Sequence, residues 1–228
     1  MKLLAVDTST SSCSVAVLED ERLLAEVIYT AGNTHSRHLL SIINQILDIC
    51  SFKFLDINGI CFTQGPGTFT GLRIGISMVK GLAAATRVPV VGVSSLAALI
   101  FPLSLVERPA VAVIDARRGE VYHGRYRFAH GKVEAVTPES VDTPEAVTAL
   151  LPHDALLVGS GALLYRKVFE SRGAGIRFAN QTQHVIRASS VGMLALPRFR
   201  GRNTDSIHTL TPTYIRKSDA QIQMSATC

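Results

Sequence analysis

The sequence predicts two α/β domains of similar construction in a chain of 228 residues. Apolar segments of strand length and amphipathic segments of helix length follow the order strand, strand, strand, helix, strand, helix, and this order occurs twice. Each copy opens with an apolar strand that ends in aspartate, Asp7 in the first and Asp115 in the second. Two such halves face each other across a cleft in the actin, hexokinase and Hsp70-like ATPases (the ASKHA, ribonuclease H-like architecture). We expect a first domain over 1–106 and a shorter second domain over 107–228 that ends in a flexible tail.

The composition favours a globular protein with a mildly basic charge. Hydrophobic residues make up 47% of the chain and charged residues 18%, which is enough apolar material for a sizeable core. The net charge of +5 permits contact with nucleic acid without requiring it. The chain has no Trp and only 6% aromatic residues. Since no stretch interleaves basic and aromatic residues, the sequence argues against a stacking platform for single strands.

The cysteines and the start of the chain predict a cytoplasmic protein. Cys13, Cys50, Cys61 and Cys228 form no C-x-x-C pair, and we expect them to be reduced and structural. The apolar opening is too short for a signal peptide. No uninterrupted apolar segment is long enough to cross a membrane.

The first half contains the elements of one predicted domain. We expect strands at 3–6, 13–18, 23–29, 57–62 and 88–93, and helices at 35–50, 68–87 and 96–101. Asn33 or Thr34 would cap the first of these helices. Its apolar residues recur at i, i+3, i+4 and i+7, which is the pattern of an amphipathic helix.

The glycine-rich stretch 63–75 joins a strand to the second helix. Thr68 and Thr70 are candidate N-caps, and unpaired N–H groups at a helix start suit an anion. The stretch fits neither named phosphate motif. Leu72-Arg73 stands where a phosphate-binding Walker loop requires Lys-Ser/Thr, and Thr70 stands at the third glycine of the dinucleotide fingerprint.

The same stretch supports a second interpretation. Gly67, Gly71 and Gly75 recur every four residues and form a bare stripe on one helical face. Such a stripe admits another backbone at close range. That backbone could belong to this chain or to a second chain.

The second half repeats the pattern. We expect strands at 110–114, 121–128, 132–136 and 155–158, and helices at 144–151, 162–171 and 189–196. A Gly-Ser-Gly turn at 159–161 precedes the helix at 162–171. Ser189 or Ser190 would cap the last helix.

Asp7 is the first candidate functional residue, because hydroxyl groups follow it at Thr8 and Ser9. A carboxylate there could hold a phosphate-bound metal ion or an attacking water. The alternative is a residue that closes an Asx turn. His35 and His38 could share a helix face, but the spacing suggests no third ligand, so we expect no metal site.

Six stretches resemble the TsaB (YeaZ) family, over essentially the whole chain. They are 3–10, His35-Ser36, 65–75, 115–122, 159–162 and 212–216. The stretch at 65–75, Gly-Pro-Gly-Thr-Phe-Thr-Gly-Leu-Arg-Ile-Gly, is the most specific, and the others follow in the expected order.

The resemblance implies a non-catalytic subunit of the bacterial machinery that makes N6-threonylcarbamoyladenosine at position 37 of ANN-decoding tRNAs. Such a subunit shares the fold of the catalytic subunit TsaD, pairs with it through helices of the first domain, and is joined by the ATPase TsaE. TsaD holds a metal with His-x-x-x-His, whereas this chain has His35-x-x-His38. The resemblance implies no cofactor, and it leaves open weak ATP or ADP binding within the complex. A vestigial nucleotide cleft would comprise Asp7, Thr8, Ser9, Asp115, Gly159 and Gly161.

The resemblance and the helical spacing together predict a partner interface. We assign to it His35, Leu39, Ile42, Ile46, Gly67, Gly71, Gly75 and Val79. The isolated protein could form a homodimer, and tRNA contact is expected only within the complex. The basic residues Arg198, Arg200, Arg202, Arg216 and Lys217 would be solvated or would provide that contact.

Two enzymatic alternatives remain. An ATP-dependent phosphotransferase of the same fold would use Asp7 to position a metal and Asp115 as a base. The absence of a Gly-Gly turn and the short second domain weigh against it. A glycoprotease-like peptidase is less favoured, because no His-Glu-x-x-His or Gly-x-Ser-x-Gly motif is present.

Overall fold

The first domain is built on a five-stranded sheet. The computed structural model describes residues 1–30, 35–129 and 132–216. The strands are β1 (Lys2–Asp7), β2 (Cys13–Glu19), β3 (Arg22–Tyr29), β4 (Gly59–Gly65) and β5 (Val90–Ser94). Their order is β3-β2-β1-β4-β5, in which β1, β2 and β3 pair antiparallel and β1, β4 and β5 pair parallel.

Helices cover both faces of this sheet. They are α1 (His35–Ile49), α2 (Phe69–Thr86), α3 (Ser95–Ile100) and, from the end of the chain, α7 (Ala188–Arg200). Leu4 and Val6 face α1 and α2, whereas Leu3 and Ala5 face α3 and α7. Because both sets of side chains are buried, β1 is a continuous apolar segment rather than an alternating one.

The second domain repeats the topology of the first. Its strands are β6 (Ala110–Arg117), β7 (Glu120–Ala129), β8 (Lys132–Ala135), β9 (Ser140–Asp142), β10 (Leu156–Val158) and β11 (Arg177–Phe178). Its helices are α4 (Pro144–Leu150), α5 (Ser160–Leu164) and α6 (Arg166–Glu170). The order β11-β10-β6-β7-β8 matches that of the first sheet when β6 is equated with β1. The predicted duplication is therefore confirmed. Strands β9, which pairs with β7, and β11 were not predicted.

Local signals differ in how well they predicted the helix ends. Thr68 caps α2, since its Oγ1 accepts from the N–H of Gly71 at 3.3 Å, and Thr70 lies inside the helix. The predicted helix over 162–171 is two short helices that meet at Tyr165. Helix α7 begins before the predicted caps, at Ala188. The predicted caps at 33 and 34 and the tail at 217–228 lie outside the described residues.

The last part of the described chain, residues 188–213, returns to the first domain. Helix α7 packs on β1, β2, β4 and β5. Beyond it, Asp205 bridges Val90, Leu210 joins the core beneath α1 and α2, and the N–H of Thr213 donates to the carbonyl of Gln64 at 2.8 Å. The division at residue 106 stays a prediction, but residues 188–213 pack on the first sheet, although they were assigned to the second domain.

Candidate functional site

Asp7 lies at the floor of the cleft and is fully buried. Its Oδ1 accepts hydrogen bonds from the N–H of Ser9 at 3.0 Å, from Ser9 Oγ at 2.6 Å and from Thr63 Oγ1 at 2.7 Å. The bond to the backbone two residues on closes an Asx turn, which is the structural alternative that the sequence left open. Burying a carboxylate is costly unless donors surround it, and these three donors offset that cost.

The glycine stripe of α2 packs on the turn that follows Asp7. Thr8 Oγ1 donates to the carbonyl of Gly71 at 2.8 Å, and the N–H of Thr68 donates to the carbonyl of Ser9 at 2.8 Å. A methyl group on Gly71 would collide with the carbonyl oxygen of Thr8. A methyl group on Gly67 would collide with the carbonyl oxygen of Ser9, and one on Gly75 would collide with the hydroxyl oxygen of Thr8. The close backbone is therefore the chain's own.

This packing corrects the predicted partner interface. Gly67, Gly71 and Gly75 are buried against the β1–β2 turn, so they offer no surface to another chain. The other members of the set lie in the core of the first domain, with exposed fractions from 0% to 9%; they are Leu39, Ile42, Ile46 and Val79. Their spacing marks the face that packs on the sheet, not the face that meets a partner. The side chain of His35 lies outside the described residues.

The predicted nucleotide residues of the second domain are also closed off. Gly159 has a φ of +119°, and a methyl group there would collide with the carbonyl of Val113. Gly161 packs against the side chains of Val113 and Val121. These glycines bring α5 onto β6, and both are buried.

His184 fixes this arrangement and was not singled out in the sequence. The N–H of Gly159 donates to His184 Nδ1 at 3.0 Å, and His184 Nε2 lies 3.0 Å from the carbonyl of Ala179. His184 Nδ1 also lies 3.2 Å from the carbonyl of Gly159, so the imidazole contacts backbone groups at both of its ring nitrogens. An isolated histidine gives no sequence signal for this role, because its partners are backbone groups.

Of the six predicted cleft residues, Asp115 borders the open part of the cleft. A cavity of about 310 Å³ separates the start of α2 from the β6–β7 turn. It is lined by Gly67, Thr68, Phe69, Thr70, Asp115, Ala116, Arg117, Arg118, Tyr122 and Arg216. A neighbouring cavity of about 240 Å³ shares Thr68, Asp115 and Arg117 and extends to Thr10, Ser11 and Ser160.

The β6–β7 turn carries two adjacent arginines on the cleft wall. Arg117 and Arg118 have φ values of +65° and +56°, and Gly119 follows at +77°. Three left-handed residues in succession make a tight turn. Asp115 Oδ1 accepts from the N–H of Arg117 at 2.9 Å, which holds the turn in place. Arg216 donates to the carbonyl of Ala116 at 3.1 Å, so the end of the described chain is tied to the same turn.

A Ser-His-Asp cluster lies elsewhere, beside an apolar cavity of about 380 Å³. Ser140 Oγ lies 2.8 Å and Asp142 Oδ2 lies 2.9 Å from the same nitrogen of His123, Nε2. A hydrolytic triad needs the nucleophile on one ring nitrogen and the carboxylate on the other. The cluster therefore lacks the geometry of a serine hydrolase.

A metal site, a reactive cysteine and a membrane-spanning helix would each bear on function if the described residues contained them. There, no group of three His, Cys, Asp or Glu side chains is placed to hold a metal ion. The three cysteines that the structure describes are free thiols, and burial together with the charge of Asp7 raises the pKa of Cys13 to about 12. Such a thiol is unreactive at neutral pH. In the same part of the chain no helix has the length and apolarity to span a membrane.

Comparisons with known proteins agree with this architecture. The family model of TsaD, tRNA N6-adenosine threonylcarbamoyltransferase, matches residues 24–224. The tRNA threonylcarbamoyladenosine biosynthesis protein TsaB of Escherichia coli is 31% identical over 96% of this chain and 96% of its own. A Pseudomonas aeruginosa structure, described as an uncharacterized protein with similarity to peptidase YEAZ, superposes with a TM-score of 0.82. It is 31% identical and is matched over 94% of this chain and 99% of that one.

A more distant structure shares the fold alone. The activator of the 2-hydroxyisocaproyl-CoA dehydratase from Clostridium difficile, with bound ADPNP, has a TM-score of 0.51 at 9% identity. The match covers 89% of this chain and 97% of that one. With the duplicated sheet topology, this likeness confirms the predicted fold class.

Proposed function

The chain belongs to the TsaB family, and from that premise we propose that it is the non-catalytic partner of a TsaD-type threonylcarbamoyltransferase. The pair would form N6-threonylcarbamoyladenosine at position 37 of ANN-decoding tRNAs. The observation that carries the non-catalytic role is the closed cleft floor. Asp7, Thr8 and Ser9, which would meet a metal-bound nucleotide in an enzyme of this fold, are 0–2% exposed.

The closed floor also weighs against the phosphotransferase alternative. That reaction needs two carboxylates that reach a nucleotide and its metal from facing domains. Asp115 borders the cavity, whereas Asp7 lies beneath the start of α2 and is fully buried. The glycines that would flank the adenosine, Gly159 and Gly161, are packed against β6 and β7. The peptidase alternative has no support in the geometry around His123.

We place the partner interface on the outer face of α2. After Arg73, the exposed residues of α2 are small and recur at helical spacing: Ser77, Gly81, Ala84 and Ala85. A methyl group on Gly81 would meet no atom within 4 Å, whereas one on Gly71 would collide with Thr8. A partner chain could therefore contact the helix at Gly81. Helix α1 packs beside α2 on the same face of the sheet and exposes Leu40 and Ile49, which are 44% and 71% accessible. A small-residue face beside exposed apolar side chains lets a partner helix approach closely.

The remaining members of the assembly follow from the same proposal. A TsaE-type ATPase would join the pair, and the isolated chain would use the same α1–α2 face to form a homodimer. The chain would hold no cofactor of its own, and any ATP or ADP would bind weakly and only in the complex. All of these components would act in the cytoplasm, where tRNA is modified.

Substitution of Gly81 by Leu tests the interface. The position is exposed on a helix, so the isolated variant should fold, while the added side chain overpacks the contact with the partner. Overpacking costs about 1–3 kcal/mol, which corresponds to a roughly five- to 150-fold loss of affinity. Size-exclusion chromatography with light scattering would measure pairing with a TsaD-type protein.

The matched control is Ala149→Leu, which places the same leucine side chain at an exposed position of α4. It should pair as the parent chain does. If Gly81→Leu pairs with unchanged affinity, the interface does not lie on this face of α2. If the parent chain itself fails to pair, the proposed function is wrong.

A further inference from the structure

We propose that the apolar cavity between β7 and α4 binds a small organic monocarboxylate with an aliphatic chain. Arg125 binds the carboxylate, and the apolar wall of the cavity holds the chain. The volume of about 380 Å³ lies within the range of about 300–1,000 Å³ that is typical of small-molecule sites. The lining residues differ from those of the two cleft cavities, so this site goes beyond the proposed function.

Aliphatic side chains form one wall of the cavity. Val111 of β6, Val147 of α4 and Leu151 directly after α4 belong to a single apolar cluster on this face of the second sheet. Leu150 also lines the cavity and is 64% exposed, so it lies at the opening. Water beside such a wall finds few hydrogen-bond partners, and an alkyl chain that displaces it is favoured by the hydrophobic effect.

Arg125 lies on the same face of the sheet as this wall. It is directly opposite Val111 in the antiparallel pairing of β6 and β7, and directly opposed residues share a face. The segment between β8 and β9 is fixed to the backbone of Arg125. The N–H of Val136 donates to the Arg125 carbonyl at 2.8 Å, and the Arg125 N–H donates to Thr137 Oγ1 at 3.4 Å. Arg125 therefore lines the cavity where the strand and this segment meet.

Arg125 is a half-buried cation without a counter-ion. Among the residues that the structure describes, three arginines are half-buried, and two of them, Arg198 and Arg216, pair with carboxylates. The side chain of Arg125 forms no ion pair or hydrogen bond in that part of the chain, although Glu107 lines a neighbouring cavity that Arg125 also borders. Partial removal of a cation from water costs free energy, which the bidentate hydrogen bonds of a bound carboxylate offset.

The other titratable groups of the cavity are paired with one another. Asp142 Oδ2 lies 2.9 Å from His123 Nε2 and accepts from Ser140 Oγ at 3.1 Å. Asp142 is opposite Val121, four residues along β7 from Arg125, which is a distance of about 13 Å along the strand. The ligand carboxylate therefore binds at the Arg125 end, with its chain directed towards Asp142. A second carboxylate on the ligand would meet Asp142, so the site favours a monocarboxylate.

The test titrates octanoate into the isolated full-length chain and follows methyl resonances by NMR. The methyl groups of Val147, Leu150 and Leu151 should shift on binding. Octanoate should bind roughly tenfold more tightly than 1-octanol, because the guanidinium donates to a charged acceptor. It should bind roughly a hundredfold more tightly than butanoate, because four more methylene groups are buried. Octanedioate should bind more weakly than octanoate, because its second carboxylate faces Asp142.

Arg125→Gln removes the proposed contact with the carboxylate. This variant should bind octanoate roughly tenfold more weakly than the parent chain, and its unchanged affinity for 1-octanol would show that the cavity is still formed. The matched control is Arg127→Gln, which removes the same charge from the same strand at an exposed arginine that pairs with Glu134. The control should keep the parent affinity for octanoate.

Three results would overturn the proposal. They are no octanoate binding by the parent chain, equal octanoate affinity of the parent chain and Arg125→Gln, and shifts confined to methyl groups outside the cavity. If octanoate does not bind but Leu150→Asp abolishes pairing with a TsaD-type protein, the cavity is a protein contact instead. The titration uses the isolated chain, so failure to pair with a TsaD-type protein would refute the proposed function and leave this result unaffected.

Discussion

Helix α2 carries small residues on both of its faces, buried on the inner face and exposed on the outer face. On the inner face Gly71 touches the backbone of the β1–β2 turn so closely that a single methyl group would collide with Thr8. On the outer face Gly81 has open space around its Cα. Gly81 lies off the four-residue spacing of Gly67, Gly71 and Gly75, which continues at Val79. The difference shows that a stripe of glycines reveals close approach but does not identify the segment that approaches.

The packing of the inner face of α2 on the β1–β2 turn also buries the floor of the cleft. The segment that carries the first aspartate of an ATPase-like fold is held under α2 and satisfied by donors of this chain. The outer face of α2 remains exposed. In this molecule the aspartate at the end of β1 therefore stabilises the β1–β2 turn.

The largest expected effect is the difference in the free energy of unfolding between Gly71→Ala and Gly81→Ala. Gly71→Ala places a methyl group on a backbone carbonyl that cannot move without disrupting the β1–β2 turn, so we expect a loss of about 3 kcal/mol in the free energy of unfolding. Gly81→Ala replaces a solvent-facing helical glycine and should raise the free energy of unfolding by about 0.5–1 kcal/mol. Urea denaturation of the two isolated variants measures both changes. Equal stabilities would show that the stripe does not pack on Thr8.

A smaller effect tests the hydrogen bonds beneath the inner face. Thr63→Val keeps the shape of the side chain but removes the donor to buried Asp7, and we expect a loss of about 1.5–3 kcal/mol in the free energy of unfolding. Thr70→Val makes the same change on the exposed side of the first turn of α2 and should alter that free energy by less than about 0.5 kcal/mol. Denaturation midpoints of the two variants give the comparison. Indifference to Thr63→Val would mean that this bond contributes nothing to the closed floor.

The sequence predicted the fold well because its signals are local. The apolar segments and the Thr68 cap can each be recognised from a few neighbouring residues. The repeat of the first half in the second follows once those elements are placed in order. The short strand β9 and the helix break at Tyr165 were missed, because they depend on pairing with β7 and on packing rather than on local residue type. The return of residues 188–213 to the first sheet is a tertiary contact that no short window contains.

The candidate site was less predictable for the same physical reason. Leu39, Ile42, Ile46 and Val79 were assigned to a partner interface, but an apolar helical face packs on the nearest sheet before it meets another chain. Arg73 and Tyr214 lie far apart in the sequence, and neither belongs to a basic–aromatic pattern. Arg73 nevertheless donates to the hydroxyl of Tyr214, because hydrogen bonds between Gln64, Thr211 and Thr213 bring the C-terminal segment onto α2.

The central claim is that this chain acts as a required subunit in threonylcarbamoylation of tRNA. The most direct test reconstitutes the reaction with a TsaD-type enzyme, a TsaE-type ATPase, threonylcarbamoyl-adenylate and an unmodified ANN-decoding tRNA. N6-threonylcarbamoyladenosine is then measured by mass spectrometry of the digested tRNA. We predict product with the parent chain and with Ala149→Leu, and little product with Gly81→Leu or without the chain. An equal yield of modified nucleoside when the chain is omitted would contradict the account.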